Sequence, residues 1–247
     1  MEKKTIVILG STGSIGVNTL EVLRKFPDRF EIKFLVANTN WELLKQQAQE
    51  FKVKTVGLFS DQAARALRNA LGGEYTILSG ETEILDFLST PFDIVVSALV
   101  GSAGLKPTYR AIDSGSNLCL ANKESIVVGG EILIPHIIRK GIKFVPIDSE
   151  HSAMFQILNG YGKVNMKRAI LTASGGPFFK KEDVSEVTIE EALNHPTWKM
   201  GAKISIDSAT LMNKGFEIIE AHWLFGIDYN QLEDLIHPQS LIHALVE

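Results

Sequence analysis

Close to the start of the chain, the apolar run Thr5-Ile6-Val7-Ile8-Leu9 breaks at Gly10-Ser11-Thr12-Gly13-Ser14-Ile15-Gly16 and passes into a helical pattern that stops near Phe26, before Pro27. An unbroken apolar run is what a strand needs when both of its faces are covered. Strand, glycine-rich turn and helix in that order let the backbone approach a pyrophosphate closely, and they aim free N–H groups at it. The spacing is G-x-x-G-x-x-G instead of the usual dinucleotide fingerprint, and Ser11, Thr12 and Ser14 add hydroxyl donors. A glycine-rich loop alone is weak evidence; this setting strengthens it.

Strand and helix patterns then keep alternating along the chain. A strand at 32–37 ends in Asn38-Thr39-Asn40, and helix 41–51, strand 53–58, helix 61–71, strand 75–78, helix 81–88 and strand 93–98 succeed one another. After Gly101-Ser102-Ala103-Gly104 come helix 105–114, strand 117–121, a helix opened by Asn122-Lys123-Glu124 and reaching about Lys140, and strand 143–147. Such alternation predicts a Rossmann-like, doubly wound parallel sheet over residues 1–147. Ligands of such sheets bind at the carboxyl edge of the strands, where Ala98 to Gly101 and Asn122 to Glu124 fall. Taken alone, Asn122 and Lys123 read first as a helix cap and a solvated charge, ahead of a ligand contact. No acidic residue stands in Asn38-Thr39-Asn40 to hold a ribose 2′-hydroxyl, which favours NADP over NAD, although no Arg stands there either.

A second feature carries chemistry. Asp148-Ser149-Glu150 follows the apolar run Phe144-Val145-Pro146-Ile147, so a strand ends there. On an extended backbone Asp148 and Glu150 point the same way, and two carboxylates that close favour a hard divalent cation. Taken alone, the triplet fits a solvated acidic turn as well. From Ser208 to Phe225 the pattern predicts an amphipathic helix whose apolar stripe is Met212, Phe216, Ile219 and Trp223. Asn213, Glu217 and Glu220 follow one line beside that stripe, so Glu217 can supply a third carboxylate, with an exposed Glu pair as the plain alternative. Strand 168–173 leads into Ser174-Gly175-Gly176-Pro177-Phe178, an anion-binding nest or a simple turn. His195-Pro196-Thr197-Trp198 through Gly201 is an irregular loop whose Trp is either a lid over a ligand or a buried anchor. Lys180 to Asp183 reads as a solvated charge cluster.

Composition excludes some classes. The chain has 247 residues, 45% hydrophobic and 22% charged, with a formal net charge of −4. That balance gives no general attraction to nucleic acid or an anionic membrane. No apolar run reaches the ~20 residues of a membrane span, and no targeting segment is evident, so a bacterial cytosol is expected. The single cysteine, Cys119, reads as a buried strand residue in a reducing compartment. The chain ends inside the apolar run Leu241 to Val246, which reads as the front portion of a longer protein.

Seven blocks in order resemble the 1-deoxy-D-xylulose 5-phosphate reductoisomerase family over essentially the whole chain. They are Gly10 to Gly16, Leu120 to Ser125, Pro146 to His151, Ser174 to Phe178, His195 to Gly201, Ile206 to Gly215 and His237 to Ser240. The resemblance implies NADPH and Mg²⁺ or Mn²⁺ as cofactors. It also implies an α+β catalytic domain over 148–247 whose C-terminal part is missing, and a homodimer at full length. The implied reaction turns a phosphorylated ketose, 1-deoxy-D-xylulose 5-phosphate, into 2-C-methyl-D-erythritol 4-phosphate. Asp148, Glu150 and Glu217 are the implied metal ligands, and together with Lys214 and His195 the catalytic set. Ser149, Glu150, Ser174, His195 and Trp198 are implied in substrate binding, as are Ser208, Asn213, Lys214 and Glu217; Met200 belongs to the closing loop. Gly10, Thr12, Gly13, Ser14 and Ile15 are implied in cofactor binding, with Asn38, Asn40, Asn122, Lys123, Glu124 and Gly201. Two other readings compete: a metal-independent NADP dehydrogenase, and a folded dinucleotide-binding fragment without activity.

Overall fold

The structure is a computed structural model and describes residues 2–162, 166–198 and 200–247. Two compact units divide the chain, Met1–Val145 and Pro146–Glu247. The first alternates β1 (Lys4–Leu9), α1 (Ser14–Arg24), β2 (Phe30–Ala37), α2 (Trp41–Glu50), β3 (Thr55–Leu58), α3 (Asp61–Leu71) and β4 (Thr76–Ser79). It continues through α4 (Gly80–Phe87), β5 (Ile94–Ser97), α5 (Leu105–Asp113), β6 (Asn117–Leu120), α6 (Lys123–Lys140) and β7 (Phe144–Pro146). The seven strands lie in the order β4-β3-β2-β1-β5-β6-β7, so the chain winds outward from β1 in one direction and from β5 in the other. The crevice of such a sheet opens at that reversal, between β1 and β5. Val7, Ile8 and Leu9 are wholly buried between Phe34, Leu35 and Val36 on one side and Val95 on the other, as an unbroken apolar strand requires. Element ends differ from those expected by a residue or two, the usual fraying of assignments.

Two glycines of the N-terminal loop are required by space. Gly10 has φ +89, and a Cβ there would lie 2.7 Å from the Ala98 carbonyl carbon. A Cβ on Gly16 would lie 2.5 Å from Ser11 Cα, so α1 can start against the loop only without a side chain at that position. At Gly13 the nearest atom is 3.4 Å away, which is contact without a clash.

The second unit holds α7 (Ser149–Tyr161), β8 (Ala169–Ala173), α8 (Ile189–Leu193), α9 (Ala202–Ala209), α10 (Met212–Phe225), β9 (Leu232–Ile236) and β10 (Ala244–Val246). β8 is the middle strand of a three-stranded sheet, antiparallel to β10 and parallel to β9. Met154 of α7 and Ala221 and Phe225 of α10 close over Ala169, Leu171, Leu232 and Ala244 to form its core.

The structure departs from expectation at several points. The helix read from Ser208 to Phe225 is two helices, because Leu211 takes a left-handed conformation (φ 59) between α9 and α10. The helix surface read as apolar is not the buried one: Met212 is 48% exposed, whereas Lys214, Glu217, Glu220, Ala221 and Phe225 face inward. Charge pairing made that possible, and hydropathy could not show it. The terminal strand begins only at Ala244, because antiparallel pairing with β8 starts there, and Leu241 is 80% exposed. Cys119 on β6 is half-buried, and burial raises its thiol pKa.

Gly16→Ala is therefore expected to destabilise the fold by roughly 1–3 kcal/mol, the range for overpacking a tight contact, with Gly13→Ala well below that. Urea denaturation of the two variants with m unchanged would check this, and equal losses would contradict it.

Candidate active site

Pro146 and Ile147 carry the chain from β7 to Asp148, the residue that precedes the first turn of α7. The expected extended Asp148–Glu150 segment is not seen: Asp148 is the N-cap and Glu150 lies in the first helical turn. The two carboxylates nonetheless come together, and Glu217 of α10 joins them. Single oxygens of Asp148, Glu150 and Glu217 all lie within 4.8 Å of one another. Asp148, His151 and Glu220 form a second, overlapping trio by the same measure.

Cations hold this acidic group together. Lys214, buried on α10, donates from Nζ to the Thr172 carbonyl of β8 and to Glu217, and lies 3.9 Å from Glu150 Oε1. Asn213 Nδ2 donates to Glu217 Oε1 at 2.6 Å, and Ser149 Oγ donates to Glu150 Oε2 at 2.7 Å. His151 is wholly buried; its Nε2–H donates to the Glu217 carbonyl at 2.9 Å. Its Nδ1 lies 3.4 Å from Glu220 and 3.7 Å from Asp148. Burial alone would lower the imidazole pKa, but the charges of Glu220 and Asp148 outweigh it and raise it to about 9. Glu150 goes the same way for other reasons: burial first, then the Glu217 charge, push its pKa up to about 7 against the pull of Lys214.

Asp148, Glu150 and Glu217 fit a divalent cation. They are an all-oxygen set, close enough to share one ion. That these three ligate a metal is a proposal.

Around β8 the structure gathers other expected residues. His195 Nδ1 accepts the backbone N–H groups of Thr197 and Trp198 at 3.1 and 3.0 Å. The proton of the neutral ring is therefore on Nε2, which donates to Ser174 Oγ at 3.0 Å. Burial lowers the His195 pKa, in keeping with a neutral ring. The hydrogen of the Ser174 hydroxyl is then left for another acceptor. Gly175 and Gly176 both have positive φ, and a Cβ on Gly176 would lie 3.1 Å from the Ser208 carbonyl carbon, so the turn after β8 lies against the end of α9. Trp198 is 47% exposed, not a buried anchor. Met200 is half-buried, while Lys199 of the same loop is outside the described residues.

In the first unit, Gly13 precedes α1 without any side chain to cap it, and no acid stands in its first turn. By contrast Asn40, Ser60 and Asn122 cap α2, α3 and α6. The first N–H groups of α1, on Ser14 and Ile15, are thus left for an anion. Asn38, Thr39 and Asn40 are exposed after β2. Asn122 is buried and donates to the Leu99 and Gly101 carbonyls at 2.8 and 2.9 Å, tying the start of α6 to the segment after β5. Lys123 is buried too, so it is not a solvated charge, and Glu124 accepts from Asn122 at 3.0 Å. Gly201 stands in the second unit, as the N-cap of α9.

Sequence reasoning missed His243, whose Nδ1 is 3.6 Å from Glu150. It reads as one residue of an apolar run, and only the pairing of β10 with β8 brings it in. His151 entered only as part of a motif, although its i+3 spacing from Asp148 on a helix was a usable signal.

The fold and these clusters define an α/β protein with a doubly wound parallel sheet, of the class that binds dinucleotides, and with an acidic cluster in a second unit whose oxygens fit a divalent cation. Comparisons with known proteins agree. Residues 6–130 match the family model for 1-deoxy-D-xylulose 5-phosphate reductoisomerase, and residues 144–225 match the model for its C-terminal domain. The enzyme of that name from Thermoanaerobacter sp. (strain X514) is 50% identical over 99% of this chain and 64% of its own length. The one from Gloeobacter violaceus is 48% identical over the same shares. A crystal structure of DOX-P reductoisomerase in complex with NADPH, fosmidomycin and magnesium superposes with a TM-score of 0.91 and 39% identity, over 99% of this chain and 64% of that one. The Zymomonas mobilis enzyme in complex with NADPH gives the same TM-score and identity over 100% of this chain and 64% of its own. The chain belongs to the 1-deoxy-D-xylulose 5-phosphate reductoisomerase family, and spans 64% of the length of these relatives.

The shifted groups predict a pH dependence. Glu150, raised from 4.5 to about 7, stabilises the cation-free fold fully only below 4.5 and loses that contribution as pH rises through 7. His151, raised from 6.5 to about 9, likewise contributes below 6.5 and loses it as pH rises through 9. A divalent cation needs Glu150 ionised and replaces its proton. The rise in Tm caused by Mg²⁺ should therefore be small near about pH 5.5 and grow toward about pH 8. Thermal melts with and without Mg²⁺ across that range check this, and a gain independent of pH would contradict it.

Proposed function

We propose that this chain carries the NADPH- and cation-binding parts of an enzyme that isomerises and reduces 1-deoxy-D-xylulose 5-phosphate to 2-C-methyl-D-erythritol 4-phosphate. The observation that carries the reading is the Asp148, Glu150 and Glu217 cluster, found in a member of this family at the end of a buried lysine–carboxylate network. A relative crystallised with NADPH, fosmidomycin and magnesium supports both cofactors. Mg²⁺ or Mn²⁺ held by these carboxylates supplies a Lewis acid that polarises the ketone and stabilises oxyanion charge.

The chain's own residues do the rest. Asn213 and Lys214 fix Glu217 from two sides, so its carboxylate stays directed at the cluster. Lys214 keeps a positive charge between Glu217 and Glu150, where a proton can be held while the substrate's hydroxyl and carbonyl exchange roles. Ser174, held by neutral His195, offers its hydroxyl hydrogen to a phosphate oxygen, and Ser208 and Asn213 are the other phosphate partners in this reading. Holding the phosphate orients the reacting carbons through binding remote from them. Ser149 supports Glu150, and exposed Trp198 closes over the sugar and excludes water. In the first unit, Gly10, Thr12, Gly13, Ser14 and Ile15 take the pyrophosphate, Asn38 and Asn40 the 2′-phosphate end, and Asn122, Lys123 and Glu124 the remainder of NADPH. Among the described residues no helix is long and apolar enough to cross a membrane. A homodimer in a bacterial cytosol completes the reading.

The test is Mn²⁺ binding by this chain, together with NADPH oxidation in the presence of the sugar phosphate, with and without chelator. Asp148→Asn and Glu217→Gln should each weaken Mn²⁺ by at least about 10-fold while NADPH affinity stays within about 2-fold of wild type, since the two sites lie in separate units. Unchanged Mn²⁺ affinity in both variants would sink the assignment. Trp198→Ala should lower turnover while stability changes by less than about 0.5 kcal/mol, as for an exposed side chain. A collapse of Tm in that variant would instead show a structural anchor.

A further inference from the structure

Gln47 lies on the inward side of α2, 5% exposed, between the apolar residues Leu44 and Ala48. A primary amide in such a place is costly to bury unless it is bonded. Its Nε2 donates to the main-chain carbonyl of Ser11 at 2.9 Å, across 36 positions of sequence. Ser11 is the second residue of the glycine loop and is wholly buried. Its own N–H donates to the Val36 carbonyl at 2.9 Å, as does that of Gly10 at 2.8 Å. The two backbone groups of Ser11 are therefore held from outside the loop, the N–H by β2 and the carbonyl by α2. Neither Gln47 Oε1 nor Ser11 Oγ has a protein partner, so the Nε2–H to carbonyl bond is what joins these two side chains' surroundings.

The consequence is geometric. The Ser11 carbonyl and the Thr12 N–H belong to one planar trans peptide and point in opposite directions. Drawing the carbonyl inward to Gln47 turns the Thr12 N–H away from α2. That N–H makes no hydrogen bond among the described residues, and it comes just before the uncapped start of α1. We propose that Gln47 is a positioning residue for dinucleotide binding: by holding the Ser11 carbonyl it sets the Thr12 N–H as a fixed donor to the pyrophosphate. The inference rests on the reading of this loop as the NADPH site. It goes beyond that reading by assigning specificity for the diphosphate to a residue on a neighbouring helix that touches no ligand.

The experiment compares two ligands on the same protein, NADPH and adenosine 2′-monophosphate, which lacks the pyrophosphate. Gln47→Met keeps the length and apolar packing of the side chain and removes the donor. It should weaken NADPH on the order of 10-fold, the effect of losing one well-placed hydrogen-bonded contact, and leave adenosine 2′-monophosphate within about 2-fold of wild type. Equal weakening of both ligands would show a general structural role and overturn the proposal, as would no weakening of either. A second measurement avoids the variant altogether: adding NADPH to the wild-type chain should slow amide exchange at Thr12, and unchanged exchange there despite binding would overturn the proposal independently. Wild-type protein that bound neither ligand would remove the dinucleotide reading first and this inference with it.

Discussion

Four carboxylates, Asp148, Glu150, Glu217 and Glu220, are gathered around two buried cationic side chains, Lys214 and His151, and the second unit is built to sustain that imbalance. Charges of one sign brought out of water repel more strongly than they would at the surface. Removing Lys214 would leave Glu217 buried against its neighbours, which costs far more than the ion pair contributes. Without a metal, the cluster relieves its repulsion by keeping protons, on His151 up to a pH of about 9 and on Glu150 up to about 7. A divalent cation removes the need for those protons. Metal affinity, proton uptake and stability of this unit are therefore one linked quantity.

The β8 strand is what lets those charges meet. Its Thr172 carbonyl anchors Lys214, its C-terminal end presents Ser174, and its pairing with β10 brings His243 to Glu150. The Thr172 hydroxyl also donates to the Ile242 carbonyl at 2.6 Å, fixing that return. In the first unit the corresponding constraint is space. The absence of side chains at Gly10 and Gly16 lets β1, α1 and the segment after β5 crowd around one turn of backbone.

Much of this was legible in the sequence, for identifiable reasons. Alternating strand and helix periods are local signals, so the doubly wound sheet and its order of elements could be read directly. The carboxylates stood out because Asp148 and Glu150 adjoin an apolar run, and Glu217 falls with Asn213 and Glu220 on one line of a helical pattern. Illegible were the facts fixed by pairing at long range. Hydropathy puts Lys214, Glu217 and Glu220 on the surface, and only their mutual compensation allows α10 to bury them. His243 is unreadable for the same reason, since its role depends on a strand 70 residues away in sequence. The break at Leu211 left no trace because a left-handed leucine costs about 1–2 kcal/mol and has no composition signal. It separates α9, which carries Ser208, from α10, which carries Asn213, so the two need not share one helical line.

Asp148 shows why element type and chemistry have to be argued separately. An aspartate at a helix N-cap ordinarily turns its oxygen back on the N–H groups of the first turn. Asp148 occupies that position on α7 yet makes no such cap bond. Its carboxylate is instead drawn toward His151 and the acidic trio. The positive end of α7 still favours the negative charges of Asp148 and Glu150 without consuming their lone pairs. With the cap unmade, the Asp148 carboxylate is held among His151 and its acidic neighbours and stays beside a favourable dipole, so the helix start is shaped by the acidic cluster and not by capping.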